Sequence, residues 1–215
     1  MRRGRIAGFC AVFLACAASP LKAQEVVDRI AARVENDIIL QSDVQELREY
    51  QELVGEKTES ESAILDRLID QWIVRSEAVL SRFPEPKDEE IDRGVARVAK
   101  SFSSPEEYET RKRKSGLTDS EVRKIVASQL YLSNYLDSRF RPSAQIDEKA
   151  IENFYQNAVV PRAKARGQEA PTLDDSRDTI QEALVQSDIN EQAARWLTES
   201  RGRLHVQKFL EEGAK

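Results

Sequence analysis

Val26-Val27-Asp28-Arg29-Ile30-Ala31-Ala32-Arg33-Val34-Glu35-Asn36-Asp37-Ile38-Ile39-Leu40 carries the pattern on which the reading of this 215-residue chain turns. Val26, Ile30, Ala32, Val34, Ile38 and Leu40 share one parity, as the apolar residues of a half-buried strand do, and the polar Glu35-Asn36-Asp37 interrupts them. The stretch predicts a short β-hairpin with its turn near Asn36. A hairpin alone can neither bury its apolar face nor satisfy its edges. At the far end, Leu204, Val206 and Lys208 alternate with Arg203, His205, Gln207 and Phe209, which predicts a final strand with the same two needs. Pairing them meets both. The expected fold class is therefore mainly α, with a small antiparallel sheet formed by an N-terminal hairpin and a C-terminal strand and with helices as its body.

Working outward from the hairpin, Ser42 with Gln45 three residues on predicts a capping box opening a helix to about Leu53. From Ser62, the apolar residues Ile64, Leu65, Leu68, Ile69, Trp72, Ile73, Val79 and Leu80 give the strongest helical period in the chain, and Pro84 and Pro86 stop it. A helix from about Asp88 places Ile91, Val95, Val98 and Phe102 on one side. Ser104-Pro105-Glu106-Glu107 opens a short one with a cap, a first-turn proline and acids in the first turn. The basic run Arg111 to Lys114 at its end reads as charge favourable to a helix C-terminus and as a solvated face. Thr118 and Glu121 form a second capping box, with Leu117 as its staple, for a helix to about Arg139. A shorter helix runs from Asp147 to about Asn157. Residues 158–171 hold two prolines and a glycine with no sustained period, and are expected to be a loop. A last long helix runs from Thr172 to about Ser200, closed by Gly202.

The opening residues set the compartment. Arg2, Arg3 and Arg5 precede an apolar run from Ile6 to Ala18, and small residues follow up to Ala23, which is the pattern of a secretory signal cleaved near Ala23. The run is shorter than the roughly 20 residues of a membrane-spanning helix. Phe13-Leu14-Ala15-Cys16 loosely resembles a lipobox, so lipid anchoring at Cys16 is the alternative. Of 33 basic residues, four (Arg2, Arg3, Arg5 and Lys22) leave with the signal, and a net charge of −5 becomes about −9. That balance argues against nucleic acid as a partner. Cys10 and Cys16 leave too, as does the single methionine, so disulfides, thiolate metal sites and cysteine nucleophiles are excluded from the exported chain. The single histidine, His205, has no histidine or cysteine partner with which to build a metal site or a proton relay. There is no phosphate-binding glycine loop, and Glu89-Glu90 and Asp174-Asp175 fall at helix starts, where acids favour the dipole. The expectation is no enzyme, no cofactor, no metal and no nucleotide.

The segment Val26 to Val44 resembles the N-terminal hairpin and first helix of the SurA-type periplasmic chaperones, relatives of the parvulin-class prolyl isomerases whose N-terminal part is like the peptide-binding domain of trigger factor. Leu65-Asp66-Arg67-Leu68-Ile69-Asp70-Gln71-Trp72-Ile73 resembles their second helix. Weaker likenesses follow at Glu90-Ile91-Asp92 to Ala99-Lys100, at Tyr108 and at Val122-Arg123-Lys124-Ile125-Val126. Ala194-Arg195-Trp196-Leu197 through Leu204-His205-Val206 is similar to the terminal helix and strand that return to complete the N-terminal domain in that family. Family members usually carry isomerase domains before that last helix, where this chain has only residues 158–171.

The resemblance implies a signal over residues 1–23, a chaperone domain over 24–157, a loop at 158–171 in place of the isomerase domains, and a helix and strand over 172–215 completing the chaperone domain. It implies an ATP-independent periplasmic holdase for unfolded outer-membrane proteins or other exported polypeptides, without prolyl isomerisation. Strands of such clients alternate aromatic and aliphatic residues, so the expected client-binding residues are Ile91, Val95, Phe102, Tyr108, Tyr131 and Tyr135. The alternative is a non-catalytic envelope scaffold with one dedicated partner.

Overall fold

The computed structural model describes residues 28–209. The expected signal, with Cys10, Cys16 and the cut near Ala23, lies outside the described residues, as do Val26 and Val27. Strands β1 (Ile30–Val34) and β2 (Asp37–Leu40) form the hairpin, and β3 (Val206–Lys208) lies antiparallel to β1, giving the order β2-β1-β3. The two ends of the described chain thus meet, as the alternating patterns required. Val34 stands opposite Val206, and Ala32 opposite Lys208. The turn fastens the returning strand. Glu35, at φ 53, donates its N–H to the His205 carbonyl at 3.0 Å, and its Oε1 accepts the His205 N–H at 2.7 Å.

The single-parity reading of the hairpin fails at two points. Across a two-residue turn the opposed residues sum to an odd number, so the face that holds Ala32 and Val34 in β1 continues through Ile39 in β2. Ile39 is buried, whereas Ile38 is 50% exposed. A bulge between Ile30 and Ala32 then buries Ala31 beside Ala32 and leaves Ile30 outside.

Helix α1 (Gln41–Val54) starts at once after β2, one residue before the expected cap. Asp43, rather than the Ser42 and Gln45 pair, supplies the box by accepting the Leu40 N–H at 2.8 Å, while Ser42 bonds Asp28. Helices α2 (Glu61–Leu80), α3 (Asp88–Lys100), α4 (Pro105–Ser115) and α5 (Asp119–Phe140) follow within a few residues of their expected limits. The Thr118 box forms in both directions, with Thr118 N–H to Glu121 Oε2 at 2.7 Å and Glu121 N–H to Thr118 Oγ1 at 3.2 Å. Within the basic run, Lys112 is not solvated. It is buried, bonded to Glu109 and Asp119, with its Nζ 5.1 Å from the centre of the Tyr108 ring.

The expected loop at 158–171 is mostly helical. After α6 (Glu148–Phe154) the chain continues through a π turn (Tyr155–Val159) into α7 (Val160–Ala165). Val159 and Val160 are already helical, so α6, the π turn and α7 form one helical run that Pro161 does not break, with the π turn directly before the proline. Only residues 166–172 lie between α7 and α8 (Leu173–Arg201), a helix about 43 Å long.

Three apolar clusters result. The first joins the sheet, α1 and α2; the second joins α1, α3, α4 and α5; the third joins the ends of α2 and α5. Trp196 and Leu197 of α8 pack on both the first and the third. At the end of α8, Arg201 donates to Asp66 Oδ1 at 2.7 Å, to the Asp66 carbonyl at 2.8 Å and to Asp70 Oδ1 at 2.6 Å, and Lys208 of β3 reaches Asp66 Oδ1 at 2.7 Å. In the second cluster α3 and α5 approach closely at Gly94, where an added Cβ would stand 2.7 Å from Val126 Cγ1.

Two expected outcomes follow from these contacts. Gly94→Leu should force α3 from α5 and lower unfolding stability by about 1–3 kcal/mol, measured by urea denaturation; a stability at or above that of the parent would show that the close crossing is not required. Partial burial would raise the Asp66 carboxyl, but Lys208 and Arg201 outweigh it and hold it below its ordinary value of 3.8. A depressed carboxylate stabilises the fold above its unfolded pKa and stops doing so as pH falls through its folded one. Denaturation midpoints should therefore fall as pH drops below 3.8, and Asp66→Asn should make that acid limb shallower. An unchanged limb would exclude a role for the cluster in acid stability.

Candidate functional site

The six residues expected to bind clients do not share a surface. Tyr108, Tyr131 and Tyr135 are buried, at 8%, 2% and 4% exposure, and belong to the second and third clusters. Burial pushes the Tyr108 and Tyr131 hydroxyls up. Tyr131 donates to the Phe83 carbonyl at 3.3 Å, and the Phe83 ring packs edge-on against Tyr135 at 5.5 Å. Val95 and Phe102 pack on the second cluster, and Ile91 is half-buried on α3. Phe102 and Tyr108 come together, with ring centres 5.4 Å apart at the α3–α4 corner, and Tyr131 and Tyr135 share the third cluster around Phe83. The helical spacing that suggested a binding stripe is the spacing of a core, and for the three tyrosines the structure assigns them there.

A different apolar surface is open. A cleft of about 260 Å³ lies between β2, α1, α2 and α5. Ile38 and Ile39 form its strand side, Leu68, Trp72 and Arg75 its α2 side, and Ile125, Gln129 and Leu132 its α5 side. Its volume is a little under the roughly 300–1,000 Å³ of small-molecule sites.

Each wall is placed by a packing demand elsewhere. The apolar band of α2 is wider than its core contacts need: Ile64, Leu65, Ile69 and Ile73 are buried against the sheet and α1, which leaves Leu68 and Trp72 half-buried at the band's margin. Trp72 Nε1 donates to Asp37 Oδ2 at 2.9 Å, which ties the indole to the hairpin. On α5, Val122 and Val126 face the second cluster, and Ile125 and Leu132, two turns apart, border the cleft. Lys124 reaches Glu46 Oε2 of α1 at 3.1 Å, and Tyr50 donates to Gln129 Oε1 at 3.3 Å, so the α1–α5 side is held by polar bonds.

The signal for this site was present but ambiguous. Leu68 and Trp72 belonged to the strongest period in the chain, and only the position of α5 decides that they border open space. His205 stands outside the cleft in the strand region, where its backbone bonds Glu35. Among the described residues no cluster of His, Cys, Asp or Glu is placed to hold a metal, and no helix is long and apolar enough to cross a membrane.

No family model matches the chain. It is similar to chaperones named SurA. The protein of Pseudomonas fluorescens strain Pf0-1 is 25% identical over 153 residues, 67% of this chain and 35% of that one. The protein of Pseudomonas aeruginosa is 25% identical over 138 residues, 60% of this chain and 33% of that one. A second strain of Pseudomonas fluorescens gives 26% over 153 residues. The chain thus spans about a third of the length of these relatives. Low as the identity is, it extends over 67% of this chain in the first of them, and it supports a distant, SurA-like relationship.

Proposed function

We propose that this protein is an ATP-independent chaperone of the periplasm, a holdase that binds unfolded outer-membrane proteins or other exported polypeptides through the cleft between β2, α2 and α5. The observation that carries the reading is the cleft itself: an open apolar surface, bordered by Ile38, Leu68, Trp72 and Ile125 with the buried Leu132 beneath, in a chain related to proteins named as chaperones. Weak burial of a few side chains at a time favours release without fuel. Each apolar side chain covered contributes about 1.5–3 kcal/mol at most, and ordering the client offsets part of that. An exported chain with a net charge near −9 can expose apolar surface and remain soluble. The short connection at 166–172 between α7 and α8 supports a reading of holding without prolyl isomerisation.

The exported form, beginning near Gln24, should suppress aggregation of a urea-unfolded outer-membrane β-barrel diluted into buffer, at near-stoichiometric amounts and without ATP, as read by light scattering. Ile38→Glu, at a position that is half exposed and outside the core, should weaken client binding about fivefold while leaving thermal unfolding unchanged. No suppression, with tight binding to one folded envelope protein instead, would replace the chaperone reading by that of a dedicated scaffold.

A further inference from the structure

β2 is an outer strand of the sheet, and among the described residues nothing pairs with its far side. Which of its backbone groups are free follows from the register. The Glu35 N–H donates to His205, and the Ala31 carbonyl accepts from Phe209 at 2.8 Å, so the odd-numbered residues of β1 turn their backbone toward β3. Arg33 lies between them and does the same. Ile38, opposite Arg33, therefore occupies a pair without mutual hydrogen bonds, and its N–H and C=O point away from the sheet.

The cleft lies where these groups point. It is bordered by both Ile38 and Ile39, whose side chains lie on opposite faces of the strand. A space that touches both runs along the edge of β2, not over one face of the sheet. Its lining holds two bases and two acids, Arg75 and Lys124 with Asp43 and Glu46, and they are not equally engaged. Lys124 is met by Glu46, whereas Arg75 makes no ion pair among the described residues and stands over the Tyr131 ring at 5.8 Å. Asp43, the remaining acid beside the cleft, is engaged with the Leu40 N–H.

We infer, on the reading of the cleft as the polypeptide site, that β2 accepts an extended segment of the client as a fourth strand. One client residue exchanges both backbone hydrogen bonds with Ile38. Alternate client side chains enter the apolar space between Trp72 of α2 and Ile125 and Leu132 of α5, and an acidic client group meets Arg75. The edge is short because α1 begins at Gln41, so a single residue offers both of its groups. Such a site takes an unfolded segment of many sequences, since the backbone supplies the bonds and the alternation supplies the selection. A folded partner with no free strand does not fit it.

The test uses a short synthetic peptide alternating valine or tyrosine with threonine and carrying one glutamate, with binding followed by fluorescence anisotropy on the unaltered protein. Methylating the backbone nitrogens one at a time should weaken binding about tenfold at the residue that faces Ile38, with little change at its two neighbours, whose amides face away. Ile38→Pro removes the outward N–H together with the isoleucine side chain and leaves the bonds to β1 in place; it should lose about tenfold more binding than Ile38→Ala, which removes the side chain alone, with an unchanged circular dichroism spectrum. Should that variant fail to fold, the methylation series decides alone. Arg75→Glu should reverse the preference for the glutamate peptide over its lysine counterpart. A flat methylation series with binding retained would overturn strand addition and leave the cleft as the polypeptide site. No binding of the peptide or of an unfolded β-barrel would overturn both readings. A homodimer that Ile38→Pro dissolves would assign the edge to a second copy and overturn the inference.

Discussion

The pairing of β3 with β1 is the contact on which the rest of the architecture depends. It joins residues about 170 positions apart, and the entropy of closing so long a loop must be met by what the closure brings together. Three things share that cost: the backbone bonds of the ladder, the reciprocal bonds between Glu35 and His205, and the ion cluster of Arg201 and Lys208 on Asp66 and Asp70. The last joins both returning elements to α2 at one point. Once β3 is seated, α8 is drawn along the helical body, and Trp196 and Leu197 reach two apolar clusters that otherwise have no common member.

That closure also determines which edge of the sheet remains open. With β3 on one side of β1 and β2 on the other, the free backbone of the hairpin faces α2 and α5. An exposed strand edge is ordinarily a hazard, and natural sheets blunt it with short strands and nearby charges. Both devices are present here: β2 has four residues, and Arg75, Asp43 and the Glu46–Lys124 pair surround the opening. The same shortness that limits self-association leaves room for a transient guest. Stability and the proposed activity therefore draw on one feature.

The expected client surface and the observed cleft differ for a physical reason. Aromatic residues at helical spacing on α4 and α5 look alike whether they face a neighbour or solvent. Tyr131 and Tyr135 are claimed by Phe83, which the short connection after α2 folds back onto α5, and Tyr108 is claimed by Lys112 and Phe102. Burial among the described residues goes to four tyrosines, Tyr50, Tyr108, Tyr131 and Tyr135, and to aliphatic residues of the sheet and of α1, α2, α5 and α8. The cleft takes what is left at the margins of three helices, where no helix has a complete stripe of its own.

The amino-acid sequence by itself determined the elements and the closure. Alternation at both ends, the capping box at Thr118, the first-turn proline at Pro105 and the long period of α2 are local signals, each set by backbone hydrogen-bonding needs that do not depend on what lies across the fold. It misjudged residues 158–165, where the helical run passes through Pro161 unbroken, and the parity of β2, which a two-residue turn reverses. Only the tertiary structure decided which apolar residues are covered. Exposure is a property of pairs of elements: Leu68 and Trp72 border open space because of where α5 passes, and Ile38 has a free backbone because β3 occupies the other side of β1.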